Sequence, residues 1–322
     1  MLLIFMQYAI LKMIMFLERD IMSKWDDIYC DLLKKILSDG TEVENRTGIN
    51  TVKIPSCHFQ LDVGEEFPVL TTKQLFIRQA VLEMLWFYQA QSNDVRWLQE
   101  RNVHIWDEWE IDSEGYWNAV QMLPDENGKL KRTEVHKFFG KEWAHTIGTA
   151  YGWIVKKFGL TQELIEKLRH AREDRRMVMS LWQNDYLKTA VLPSCVWSSE
   201  WDVTDGKLNV WVHQRSCDVP LGLPFNVTQY AVLLCMLAQV TGLEVGTLDW
   251  SIKDAHVYVN QLDGVKEQIR RYDENGGGLP APKLWLNPEV TDFFEFDNSA
   301  ECRDVKLIDY QHMGKISFPI AQ

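Results

Sequence analysis

The chain has 322 residues, 46% of them hydrophobic and 25% charged, with a formal charge of −12. That composition supports a large buried core in one domain and excludes a disordered chain, while the acidic balance excludes a general nucleic-acid binder, which needs a basic stripe. Any anionic ligand must be met by locally gathered arginines. Cys30, Cys57, Cys195, Cys217, Cys235 and Cys302 show neither CxxC pairs nor His partners at zinc-like intervals. Neither a metal site nor a disulfide framework is expected, and a reducing cytoplasm fits.

Residues 1–21 read as an apolar N-terminal extension. Lys12 interrupts them, no positive region precedes them, and the run is shorter than the ~20 residues of a spanning helix. Trp25, Ile28, Leu32, Leu33 and Ile36 recur at helical spacing, with acid early, Lys34 and Lys35 late, and Gly40 as the stop. Glu44 to Gly48 is a polar loop in which Arg46 reads as a solvated charge. Thr51 to Leu61 alternates as a strand, and Thr71-Thr72 is expected to cap a helix from Lys73 to about Ala90. Glu83 falls on the apolar face of that helix, where a carboxylate must find partners or rise in pKa.

Trp106 and Trp109 lie three residues apart and can share one wall, as ordinary packing or as a ring-binding surface. Asp112 to Thr149 is charged and turn-rich around Pro124 to Gly128. Thr161 to Arg172 has amphipathic helical spacing, and Arg175-Arg176 reads as a solvated pair before an apolar strand from Met177 to Trp182.

The densest stretch runs from Val191 to Val232. Cys195 sits in a Leu-Pro-Ser-Cys turn, and taken alone it reads more readily as core packing than as a nucleophile. Asp205-Gly206 signals a hairpin, after which Leu208, Val210 and Val212 alternate with Asn209, Trp211 and His213. That strand delivers Gln214, Arg215, Ser216 and Asp218 to its end, where Arg215 and Asp218 also read as an ordinary ion pair. Asn226 and Gln229 fit a capping box opening an apolar helix from Val227 to Val240 that stops at Gly242. A thiol, an arginine beside a hydroxyl and an acid, and an asparagine at a helix mouth suit a phosphorylated, hydrogen-bonding ring. Further on, His256 and Tyr258 share one side of a strand.

The string QRSCDVPLGLPFN (214 to 226), preceded by Pro193-Ser-Cys195 and followed by DAHVYVNQ (254 to 261), resembles the thymidylate synthase family. The resemblance extends to Glu44-Asn-Arg-Thr-Gly48, FPVLTTKQL (67 to 75), EMLWF (83 to 87), HIWDEW (104 to 109) and AYG (150 to 152). It continues through Arg175-Arg176, Ser180-Leu-Trp-Gln-Asn184 and APKLWLNPEV (281 to 290), in the family's order over nearly all of residues 24–322. Val196 after the cysteine is similar to the bacterial and phage branch. Ser194 and Gln322 depart from the usual proline and aliphatic residue.

The resemblance implies an α+β fold, a large mixed β-sheet covered by helices and packing against a partner subunit in a homodimer. It implies a single catalytic domain over 22–322 with a variable insertion at about 112–149. It further implies reductive methylation of dUMP to dTMP with 5,10-methylenetetrahydrofolate as co-substrate and no metal. Cys195, Glu83, Tyr151, Arg215 and Asn226 are the implied catalytic residues, with Cys217 a packed neighbour. Arg46, Gln214, Arg215, Ser216, Asn226, His256 and Tyr258 would bind dUMP, together with Arg175 and Arg176 donated across the dimer interface. Trp106, Trp109, Asp218 and Ala321 would bind the folate, under a C-terminal tail that closes over the ligands. The alternatives are a nucleotide hydroxymethylase, in which water traps the one-carbon unit, and a catalytically silent nucleotide- or RNA-binding relative.

Overall fold

The computed structural model describes residues 22–320. The expectations for residues 1–21, Ala321 and Gln322 lie outside the described residues. Helix α1 (Lys24–Asp39) starts where the Ser23 hydroxyl accepts from the Asp26 amide, and it buries Trp25, Tyr29, Leu33 and Ile36. Its last turn holds no basic residue. Lys34 instead reaches Asp273 at 2.6 Å.

The main sheet has the order β1-β2-β9-β7-β6-β5, built from β1 (Thr41–Val43), β2 (Thr51–Asp62), β5 (Val178–Ser180), β6 (Val196–Thr204), β7 (Lys207–Gln214) and β9 (Glu244–Tyr258). Strand β9 runs antiparallel to β2 and parallel to β7. The two-residue β8 (Cys217–Asp218) pairs with β9 beyond the end of β7, also in parallel. So β7 and β8 act as one strand interrupted at Arg215 and Ser216, with the register on β9 unbroken. The Asp205-Gly206 hairpin forms as expected, with both residues at positive φ (52° and 78°). In β7 Leu208, Val210 and Val212 are buried while Trp211 is 44% exposed, the alternation of a strand covered on one face.

Helices cover the inner face. Helix α2 (Ile77–Tyr88) packs on α6 (Gly222–Thr241), which lies against β9. The short α3 (Arg96–Gln99), α4 (Gly152–Phe158) and α5 (Leu160–His170) surround them, and α7 (Leu262–Asn275) packs on α1. Helix α6 is apolar and long enough to span a membrane, but 72% of that stretch is buried inside the fold, as suits a core helix apolar on all sides. It ends at Gly242 in the left-handed conformation, as expected. The remaining strands form small hairpins, β3 (Tyr116–Pro124) with β4 (Leu130–Phe138) and β10 (Lys283–Leu286) with β11 (Val305–Ile308). The charged stretch at 112–149 is thus largely an ordered hairpin.

The structure corrects three expectations. The Lys73-to-Ala90 helix shrinks to Ile77–Tyr88, because Thr71 and Thr72 are not its caps. They give their amides and hydroxyls to the buried Asp26 carboxylate, the hydroxyl bonds measuring 2.7 Å each. Helix α6 begins at Gly222, before Asn226, so Asn226 and Gln229 lie inside the helix and bond to each other rather than capping it. The expected Met177-to-Trp182 strand is shorter, Val178–Ser180, with the flanking Met177 and Leu181 still bonded to β6 through the Trp201 amide and the Trp197 carbonyl.

The Asp26 knot joins distant segments. The Thr71 hydroxyl accepts from the Leu279 amide, the Thr72 hydroxyl accepts from Gln268 of α7, and the Thr71 carbonyl accepts from Met313. Burial pushes the Asp26 carboxyl up against the pull of these donors. Asp26→Ala strands several buried donors at once and is expected to cost about 3 kcal/mol or more. Chemical denaturation would show this as a lowered midpoint, with Asp26→Asn less damaging.

Candidate active site

Cys195 lies just before β6, at the mouth of a cavity lined by Glu83, Trp106, Tyr151, Asn226 and Gln229. The Tyr151 hydroxyl accepts from the Cys195 amide at 2.9 Å, and the Tyr151 ring stacks on Phe87 at 4.4 Å. Tyr151 holds a positive φ of 43° at the start of α4.

Arg215 grips the same turn. Its backbone N–H donates to the Cys195 carbonyl (2.9 Å), its Nε to the Ser194 carbonyl (3.0 Å) and its Nη2 to the Pro193 carbonyl (2.6 Å). Nη2 also lies 3.8 Å from the Cys195 Sγ. Burial pushes the Cys195 thiol up, while Arg215, Tyr151 and Arg46 pull it down. A guanidinium beside a half-buried sulfur is what a thiolate nucleophile requires. Cys217 is fully buried with its thiol pushed well up by burial, as the packed neighbour that the resemblance implies.

Glu83 is buried at the cavity floor. Its Oε1 accepts from the Trp106 indole at 2.6 Å and its Oε2 from the Gln229 amide in a short bond. Burial raises its pKa to about 7, against the pull of these two donors. Asn226 accepts from Gln214 at 3.2 Å, and Gln214 in turn accepts from the Trp250 indole at 3.1 Å. Trp106 and Trp109 share a wall, with centroids 5.4 Å apart.

Asp218 accepts from the Leu221 amide at the start of α6 and from Gln261. His256 bonds the Asp254 carboxylate at 3.0 Å and meets Tyr258 edge to face, with centroids 5.2 Å apart. Burial pushes the Tyr258 hydroxyl up, helped by Asp218 and Cys195, while Arg46 and Thr47 pull it down. Ser216 occupies the gap between β7 and β8. The Arg46 carbonyl accepts from Met122 of β3, so the hairpin rests on the Arg46 loop. Arg175 and Arg176 are not brought to this cavity. They lie exposed beyond α5, with Arg176 paired to Asp174 at 2.8 Å.

Sequence reading missed several residues that complete the site. Gln229 was legible only as a cap partner, and Trp250 carried no local signal. Lys73 is buried, donates to the Pro220 carbonyl, lies 4.7 Å from the Phe318 ring centroid, and has its pKa lowered by burial to about 7. Gln261 donates both to Asp218 and to the Pro319 carbonyl, which ties the C-terminal segment to the site. A Cβ on Gly264 would sit 2.6 Å from the Phe318 ring, so glycine lets that segment lie down.

Removing the guanidinium from the sulfur should raise the pH at which Cys195 reacts. Arg215→Met is expected to slow iodoacetamide labelling of Cys195 at pH 8, as followed by mass spectrometry of the labelled peptide. Equal labelling in both proteins would show that Arg215 does not activate the thiol.

The profile of the family described as thymidylate synthase matches residues 27–322. A thymidylate synthase of Clostridium beijerinckii is 43% identical over 300 residues, covering 93% of this chain and all of that protein. One from Bacillus licheniformis is 34% identical over 319 residues, again covering 93% of this chain and 100% of the relative. Among solved structures, the thermostable thymidylate synthase A from Bacillus subtilis superposes with a TM-score of 0.76 at 34% identity, covering 92% of this chain and 99% of that one. A nearly full-length match, at identities well above those that show fold alone, places the cavity around Cys195 in a known setting: the chain belongs to the thymidylate synthase family.

Proposed function

We propose that the protein converts dUMP to dTMP with 5,10-methylenetetrahydrofolate, releasing dihydrofolate, with Cys195 adding covalently to C6 of the pyrimidine. What supports this reading above all is the convergence of the Cys195 thiol, the Arg215 guanidinium, the Asn226 amide and the buried Glu83 carboxyl on one cavity.

C5 of uracil is a weak nucleophile. Addition of the Cys195 sulfur to C6 converts the ring to an enolate, replacing one high barrier by several lower ones. Arg215 favours the thiolate that attacks, and Tyr151 holds the Cys195 backbone in place. Asn226 can accept from N3–H and donate to O4. Glu83, poised at about 7, can take and return protons at the carbonyl side of the ring near neutral pH. Arg46, Arg215 and Ser216 bind the phosphate, Gln214 orients Asn226, and His256 and Tyr258 meet the deoxyribose hydroxyl.

The folate co-substrate supplies the one-carbon unit and the hydride that reduces it to a methyl group. Trp106 and Trp109 offer it a flat apolar wall, and Asp218 a half-buried carboxylate that can accept from a ring N–H. A C-terminal tail that closes over the ligands excludes water, which separates methylation from hydroxymethylation. The protein acts as a homodimer in which Arg175 and Arg176 complete the partner's phosphate site. The exposure of both arginines away from their own cavity supports this, as do Trp197 and Trp211, 38% and 44% exposed on the main sheet. Six free thiols suit a reducing compartment such as the cytoplasm.

Incubation with dUMP and the folate is expected to yield dTMP and dihydrofolate one for one, with the absorbance rise of folate oxidation. Release of 5-hydroxymethyl-dUMP without that rise would refute methylation. Cys195→Ser should abolish turnover while dUMP still binds, and Cys217→Ser should be nearly silent.

Glu83→Gln should cut kcat by roughly 10²- to 10⁴-fold, the usual contribution of a positioned acid–base group. Steady-state kinetics with intact dUMP affinity would separate this from misfolding.

Mixing inactive Cys195→Ser with an inactive Arg175→Ala, Arg176→Ala protein should restore activity in heterodimers, where one site carries neither defect. No recovery after verified subunit exchange would count against donation across the interface.

A further inference from the structure

The polar groups on the cavity floor form a directed series. The Trp250 indole donates to Gln214 Oε1 (3.1 Å), Gln214 Nε2 to Asn226 Oδ1 (3.2 Å), Asn226 Nδ2 to Gln229 Oε1 (3.3 Å), and Gln229 Nε2 to Glu83. An indole N–H can only donate and an ionised carboxylate can only accept, so the two ends set the same direction. Each amide turns its carbonyl toward Trp250 and its NH2 toward Glu83. Asn226 is left with one free lone pair and one free N–H for a ligand.

Glu83 alone cannot hold that direction. A proton on its Oε2 makes it a donor toward Gln229, and an amide series with a donor at that end is satisfied by running in reverse. Reversal would exchange the oxygen and nitrogen of Asn226. Its ligand edge would then match the N3 acceptor and N4 donor of cytosine instead of the N3 donor and O4 acceptor of uracil. Trp250 blocks the reversal, because its N–H would face the Gln214 amide nitrogen, donor against donor.

We propose that Trp250 is a specificity-determining positioning residue, which by donating to Gln214 holds Asn226 in the order that reads uracil and rejects cytosine while Glu83 gains and loses its proton. The inference rests on the proposed use of dUMP. Trp250 touches no substrate itself. It is fully buried, parallel to Phe59 at 6.5 Å and edge-on to Tyr230 at 5.6 Å.

The other titratable groups around Glu83 leave it as the one that changes state near neutral pH. From α4 comes Tyr151, from α2 itself Tyr88 and from α6 Tyr230, all raised by burial. The Cys195 thiol is also raised by burial, and Arg215 beside it carries a fixed positive charge. Because burial raises the Glu83 pKa to about 7, the group is protonated below that pH and ionised above it. Without the Trp250 donor, the direction should therefore hold at high pH, where the carboxylate still sets it, and fail at low pH.

The test is calorimetric binding of dUMP and dCMP at pH 6 and pH 8.5 to the full chain, to Trp250→Phe, and to a protein with benzothiophene replacing the Trp250 indole. The benzothiophene keeps the shape of the ring and removes only the N–H, so it answers for the fold if Trp250→Phe is unstable. The unaltered protein should prefer dUMP at both pH values. The altered proteins should lose that preference by roughly tenfold or more at pH 6, the worth of a mispaired buried hydrogen bond, and keep it at pH 8.5. A preference that survives at pH 6, or falls equally at both pH values, overturns the proposal. Gln229→Met, which detaches Glu83 and leaves Trp250 in place, should keep the uracil preference at both pH values, and its loss there would equally overturn it. If the unaltered protein binds neither nucleotide, the proposed function fails and this inference with it. Selective dUMP binding with unresponsive variants sinks this inference alone.

Discussion

The contact on which the site depends is the grip of Arg215 on the turn that carries Cys195. One residue bonds three successive carbonyls, those of Pro193, Ser194 and Cys195, and still places Nη2 3.8 Å from the sulfur. The carbonyls fix the guanidinium plane, so the cation beside the thiol costs little further ordering when a ligand arrives. The grip sits where β7 gives way to β8 at Arg215 and Ser216, while both strands stay paired with β9.

Around that contact the fold accepts a costly arrangement. Glu83 and the amides of Gln214, Asn226 and Gln229 sit among apolar helices, where an unpaired polar group costs several times what a bond contributes. The series from Trp250 to Glu83 meets that cost by giving every amide both a donor and an acceptor partner. The Glu83 carboxyl carries a residual penalty, expressed as a pKa raised to about 7.

The C-terminal segment is tied in by the same economy. Gln261 joins Asp218 to the Pro319 carbonyl, Lys73 lies against Phe318, and Gly264 leaves room for that ring. At its base the Asp26 knot binds α1, α7 and the start of the segment through Thr71 and Thr72. The segment is thus anchored at its root through the Thr71 carbonyl and held further along by the Gln261 bond to the Pro319 carbonyl.

Much of this was legible in the chain. The alternation of Leu208, Val210 and Val212, the Asp205-Gly206 turn and the Gly242 stop are local signals, and each has the conformation that its side chains and positive-φ residues demand. Glu83 was legible as a carboxylate on an apolar face, because burial of charge shows in periodicity alone. The motif strings carried the family and the candidate residues. Other features could not be read, because they depend on partners far apart in the chain. Thr71 and Thr72 looked like helix caps until Asp26, some 45 residues away, claimed both. Asn226 and Gln229 looked like a capping box until the helix began a turn earlier at Gly222, which moved them from its end to its inner face. Local sequence determined which segments could be helix or strand and which residues could do chemistry. The direction of the amide series, the state of Glu83 and the approach of Arg215 to Cys195 were decided only by tertiary structure, since hydrogen-bond polarity and desolvation belong to the groups that folding brings together.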